Sequence, residues 1–203
     1  MLSDLEFVGL DMEMCFKDDY HEVLDTLQEL FCHIFDGINA RCAPELEAVR
    51  AQFPFADLRY PAGSRTGRPS LRLTFAEAIA LLREHGPKVG ARQLAAAEAE
   101  QAKAGPERKA ELEQIIKDMR EHLKTVPAHG EQEDMSTKDE KLLGAVIGEQ
   151  RGTDFYAIDK FPTAIRAFYT MPDPADATVS NSYDIFIRGE EVTSGAQRIH
   201  DAQ

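Results

Sequence analysis

After Thr153 the chain turns from helix-forming to strand-forming chemistry, and this change limits the possible folds more than any other feature. DFYAI, IRAFYTM and YDIFIRG are dense in aromatic and β-branched residues, which pack well on a pleated surface. The stretch MPDPADATVSNS between them supplies Pro, Asp and Ser turn chemistry. Consecutive strands joined by turns favour an antiparallel sheet. Upstream, FVGLDMEMCF reads as a strand, and HEVLDTLQELFCHIFDGI as an amphipathic helix with Val23, Leu27, Leu30, Phe31, Ile34 and Phe35 at helical spacing. Pro54 to Pro69 is rich in Pro, Gly and Ser and reads as loop, followed by a short strand in LRLTF and a helix from Ala76 to His85. Thr74 and Glu77 have the spacing of a capping box at its start. Helix, strand, helix and then several strands is not a βαβ alternation, so an α+β domain is expected and a doubly wound nucleotide fold is disfavoured.

Between Gly90 and Gly130 the composition shifts to Ala, Glu, Lys and Gln, which predicts two helices broken at Gly105-Pro106. Leu112, Ile115, Ile116, Met119 and Leu123 form one apolar stripe on the second helix, which docks by that face. Residues 91–130 therefore read as a helical insertion within a domain covering 1–203. A solvated surface element is the plain reading, and a partner-binding helix the other. Ser136 or Thr137, with Glu140 close behind, then caps a further helix.

With 203 residues, 43% of them hydrophobic, the chain can bury one substantial core without disulfide or metal. Its three cysteines, Cys15, Cys32 and Cys42, lack zinc-ligand spacing and are odd in number, which fits a reducing cytosol. No apolar run approaches the roughly 20 residues that cross a bilayer, so no membrane partner is expected. With 23 basic residues against 36 acidic, the net charge of -13 argues against DNA and against strong RNA binding by this segment alone. The phosphate loops GxxxxGK[ST] and GxGxxG, the zinc motif HExxH and the nucleophile turn GxSxG are all absent.

The densest functional chemistry lies in SNSYDIFIRGEEVTSGAQRIHD, Ser180 to Asp201. Asp184 and Glu191 offer hard oxygen ligands to a divalent cation, and Arg198 offers a bidentate fork to a carboxylate or phosphate. Strict alternation puts residues seven apart on opposite faces, so a hairpin or bulge near Gly189 or Gly195 is needed to bring the two acids together. Ser194 and Arg198 share a face if the strand continues. The ordinary alternatives are solvent-facing carboxylates for Asp184 and Glu191, a plain strand-end acid for Asp11, and a surface ion pair of Arg198 with Asp201 or Glu190.

Together with TDFYAIDKFPTAIRAFYTMPDP (Thr153–Pro174) and EFVGLDMEM (Glu6–Met14), this block resembles the aspartyl-tRNA synthetases of class II, most closely the eukaryotic cytosolic type. The resemblance implies an aspartate–tRNA ligase using ATP and Mg2+, with L-aspartate and tRNA(Asp) as substrates and a homodimer in the complete enzyme. It assigns the metal to Asp184, Glu191 and Ser194, with Glu191 also serving ATP. Asp11 would take the α-amino group of aspartate, Ser194 would contact the amino acid, and Arg198 would clasp its side-chain carboxylate. No protein nucleophile is implied. Glu13 shares a strand face with Asp11 as a supporting group.

The resemblance also implies that the anticodon-binding barrel and two ATP-contacting arginines lie outside this chain, which is then an inner part of the catalytic domain and inactive alone. Relatives pass residues 93–130 with a shorter loop and carry Pro in place of Ala167. A non-catalytic relic or regulator that binds partners through the insertion is the second expectation, and an asparagine-specific relative is disfavoured by Arg198.

Overall fold

A computed structural model describes residues 8–61 and 70–200. Helices α1 (His21–Arg41) and α2 (Ala43–Gln52) come first, then strand β1 (Leu71–Thr74) and helices α3 (Phe75–Lys103), α4 (Pro106–Thr125) and α5 (Thr137–Gln150). Strands β2 (Phe155–Asp159), β3 (Ser182–Ile187) and β4 (Glu190–Ala196) complete a four-stranded sheet in the order β1-β2-β3-β4. The class is α+β as expected. The sheet is mixed, however, because β1 pairs parallel to β2 while β2–β3 and β3–β4 are antiparallel.

Alternation along the strands divides the core between two layers of helix. Phe155, Ala157, Tyr183 and Ile185 face α1, packing on Tyr20, Leu24 and Cys32. Leu73, Tyr156, Ile158 and Phe186 face the other way, onto Ile79 and Leu82 of α3 and Leu143, Val146 and Ile147 of α5. All five residues of β2 are buried, so this central strand is a continuous run rather than an alternating one. Each large aliphatic side chain buried here contributes about 1.5–3 kcal/mol.

Both caps form where predicted. Thr74 and Glu77 make a capping box on α3, and Ser136 makes one on α5 with Asp139 as the third helical residue. Three expectations fail. Helix α3 does not stop at His85 but runs through Pro87 to Lys103, since the Ala-, Glu- and Gln-rich stretch extends a helix already nucleated. FVGLDMEMCF is not a strand over residues 8–16, where the chain is irregular and Val8 and Leu10 are 99% and 85% exposed. IRAFYTM is not a strand either: its Ile165 closes a single helical turn, Thr163–Ile165, and the rest is irregular chain bridged at Thr170. A strand needs an edge to pair with, and composition cannot provide one.

The break at Gly105-Pro106 is present, and α4 folds back along α3 with Leu112 and Ile116 buried. The apolar stripe of α4 thus docks on this chain's own helix α3. Exposed pairs such as Arg120–Glu98 at 2.7 Å and Arg108–Glu100 at 2.9 Å line the hairpin and add little. Part of the predicted loop, residues 62–69, lies outside the described residues, as do Glu6 and Phe7 of the first strand expectation and Asp201.

Candidate active site

The hairpin between β3 and β4 builds the site. Ile187 pairs with Glu190 across a two-residue turn of Arg188 and Gly189, both with positive φ (52° and 79°), as a tight primed turn requires. A Cβ on Gly189 would collide with the Glu140 carbonyl, so the turn sits directly against the start of α5. Farther along, Ser194 pairs with Asp184, Thr193 with Ile185 and Glu191 with Phe186. Val192 is left over as a bulge. The two-residue turn already sets Glu191 opposite Phe186, on the face of Asp184, and the bulge at Val192, rather than at Gly195, reverses the parity beyond it and brings Ser194 onto that face as well. Asp184, Glu191 and Ser194 thereby share the face of the sheet that α5 covers.

Asp184 is the buried member, 5% exposed. Its Oδ2 accepts a hydrogen bond of 2.6 Å from Arg166 Nη2, whose guanidinium lies 3.7 Å above the Phe161 ring. Its Oδ1 is buried and accepts none. Burial pushes the Asp184 carboxyl up to about 6; Arg166 pulls down and the charges of Glu191 and Asp134 push up. Glu140 on α5 is pushed up to about 7 by burial and then by Glu191 and Asp184. The Tyr156 hydroxyl on the same face is also buried without a partner, and burial and Glu140 both raise it. Negative charge is crowded here and hydrogen-bonding capacity is unused.

Those features fit a cation. Among the described residues no group of three or more His, Cys, Asp or Glu could hold a metal ion by itself. Two carboxylates and a hydroxyl instead suit magnesium, which keeps several waters and shares its remaining positions with nucleotide phosphates.

Arg198 follows β4 on a well-anchored backbone. It bridges to Thr170, its neighbour Gln197 exchanges backbone hydrogen bonds with Asn181 and Met171, and Ile199 donates to Tyr169. Its side chain is 73% exposed and pairs with Glu13 at 2.6 Å, rather than with Glu190. An exposed pair of this kind is worth roughly 0–1 kcal/mol, so the guanidinium can exchange Glu13 for a better-placed carboxylate. The same pair draws the exposed segment carrying Asp11 toward the Arg198 end of the site. Glu191 and Ser194 are exposed as well.

Arg166 and Glu140 escaped the sequence reading. Arg166 lies in a stretch whose composition predicts strand, and Glu140 has the position of a helix-start acid. Nothing local distinguishes either residue; both matter through contacts made across the fold.

The sequence profile described as "tRNA synthetases class II (D, K and N)" matches residues 3–203. The chain is 40% identical over 198 residues to the cytoplasmic aspartate–tRNA ligase of Bos taurus, covering 98% of this chain and 30% of that protein. It is 41% identical over 198 residues to cytoplasmic aspartate–tRNA ligase 1 of Dictyostelium discoideum, covering 98% and 27%. The solved aspartyl tRNA synthetase from Entamoeba histolytica superposes with a TM-score of 0.65 at 40% identity, over 92% of this chain and 29% of that one. The chain thus spans about 30% of the length of the curated relatives it matches.

Proposed function

Because the chain belongs to the class II tRNA synthetases (D, K and N), we propose that it forms the aspartate- and ATP-binding core of an aspartate–tRNA ligase. The observation that carries this reading is the bulged hairpin, with Asp184, Glu191 and Ser194 on one face and Arg198 beyond them. The 40% identity to relatives named as aspartate–tRNA ligases supports the choice of amino acid. The α-carboxylate of aspartate attacks the α-phosphate of ATP in line and pyrophosphate leaves; a terminal ribose hydroxyl of tRNA(Asp) then attacks the resulting aspartyl-adenylate carbonyl and AMP leaves. Arg198 holds the side-chain carboxylate bidentately, Asp11 accepts from the α-ammonium, and Ser194 contacts the amino acid. Asp184, Glu191 and Ser194 would hold magnesium, which when bound neutralises charge on the phosphates, while Glu191 also faces ATP. A carboxyl titrating at about 6 is mostly ionised at neutral pH, as a ligand must be. Catalysis of this kind rests on positioning and needs no protein nucleophile. The proposed setting is the cytoplasm, in a homodimer; no helix among the described residues is long and apolar enough to cross a membrane.

The test is aspartate-dependent ATP–pyrophosphate exchange in a cytoplasmic aspartate–tRNA ligase whose matching segment is replaced by this chain. Arg198→Ala is expected to cut exchange roughly ten- to a hundredfold, because the substrate carboxylate loses a bidentate, charge-assisted pair worth about 1.5–3 kcal/mol. Near-normal exchange in that variant would sink the assignment.

A further inference from the structure

Lys160 adopts a conformation that a lysine avoids. It follows β2 directly with φ 58°, in the left-handed region, and its backbone N–H donates to Ser182 O at 3.1 Å. Such strain persists only where surrounding contacts over-determine it. Here the ammonium donates to Asp173 Oδ2 at 2.5 Å and to Asn181 Oδ1 at 2.7 Å, and lies 4.8 Å from the centre of the Tyr20 ring. The contact holds the Asp173 carboxyl below the usual carboxylate range.

These two partners frame the residue next to Arg198. A lysine only donates, so the Asn181 amide must turn its oxygen to Lys160 and its NH2 outward. That NH2 donates to Gln197 Oε1 at 2.8 Å. Asn181 O accepts from Gln197 N, Met171 N donates to Gln197 O, and Asn181 N donates to Met171 O, each at 2.9 Å. Asp173 lies two residues past Met171 in the same loop. Lys160 therefore clips the 171–173 loop to the start of β3, and Gln197 is threaded between them.

We propose that Lys160 is a positioning residue for Arg198, fixing through Asp173, Asn181 and Gln197 the backbone from which the guanidinium reaches the substrate carboxylate. This rests on the aspartate-binding role given to Arg198 above.

Two measurements test it. In the 203-residue chain, Lys160→Met is expected to lower hydrogen-exchange protection of the Gln197, Asn181 and Met171 amides about tenfold, with α5 and β2 unchanged. In the ligase carrying this chain, the same variant is expected to raise KM for aspartate about tenfold or more while KM for ATP stays within about twofold, since misplacement by an ångström is costly. Discrimination against asparagine falls with it, and Lys160→Arg restores part of both. Unchanged protection at Gln197, a uniform loss along the chain, or equal rises in both KM values would overturn the proposal. If Lys160→Met does not accumulate folded, Asp173→Asn weakens the same clip and is judged by the same outcomes. Arg198→Ala separates the two claims: an unchanged aspartate KM there overturns the role of Arg198 itself, whatever Lys160 does.

Discussion

Asp154 and Asp184 show the same small share of surface, 5% each, but Asp184 lies deeper in the fold, and their surroundings drive them in opposite directions. Burial penalises the charge of both. At Asp154 that penalty is outweighed by the Arg59 side chain (Nη2–Oδ1 2.5 Å), the Arg59 backbone N–H (2.9 Å) and Arg188 (Nη2–Oδ2 3.1 Å), which hold the carboxyl below its usual range. Asp184 has Arg166 on one oxygen only, faces two further acids, and rises to about 6. Arg188 also donates to Ala56 O and Asp57 O, so the Asp154 cluster ties the 56–59 loop to the hairpin. Burial alone therefore does not mark a ligand site. Unused acceptor capacity beside like charge does, because a cation from outside would satisfy both at once.

The largest effect should come from breaking the satisfied member. Asp154→Ala takes the shared acceptor from two partly exposed arginines and is expected to cost about 2–3 kcal/mol in urea unfolding; a loss below about 1 kcal/mol would erase the contrast. Gly189→Ala comes next, at about 2 kcal/mol or more, since the turn needs a positive φ and the Glu140 carbonyl leaves no room for a methyl. It should also lower exchange activity through Glu191, linking the two regions. Asp184→Asn should leave stability within about 1 kcal/mol, because relief of a buried charge offsets the weakened Arg166 pair, yet remove magnesium-dependent exchange. Large destabilisation with activity retained would reverse the roles assigned to the two aspartates.

The smallest effect is in pH dependence. Glu140 and Asp184 have raised values, so the stability they contribute is complete below the unfolded carboxylate value of about 4 and is lost as pH rises through about 6 and 7. Asp154 acts oppositely: its contribution is present above about 4 and lost as pH falls through its lowered value. Glu140 is partly open to solvent, which screens its share to about 1 kcal/mol; Glu140→Gln should then raise the melting temperature by roughly 2–4 °C at pH 8 and not at pH 5. An equal shift at both pH values would place the cause elsewhere.

Much of the architecture could be read from local chemistry. Thr74 and Ser136 cap because a hydroxyl three residues ahead of an acid satisfies helix-end amides whatever surrounds it. The Arg188-Gly189 turn and the need for a parity change between Asp184 and Glu191 followed from the two-residue period of a strand. The bulge at Val192, which turns Ser194 to the same face, did not, since only the pairing of β4 with β3 fixes where the register shifts. The strand expected near Asp11 and the one expected in IRAFYTM failed for a related reason: pairing is a property of two segments.

The sequence by itself determined helix α1, the capped starts of α3 and α5, the break before α4, the class II synthetase family and the carboxylates and arginine proposed as ligands, all set by short-range sterics or by residue identity. Only the tertiary structure decided which charges meet. Arg166 reaches Asp184, Glu140 crowds Glu191, and Lys160 clips Asp173 to Asn181, because packing α5, the sheet and the 171–173 loop together sets the dielectric and the distances on which those interactions depend.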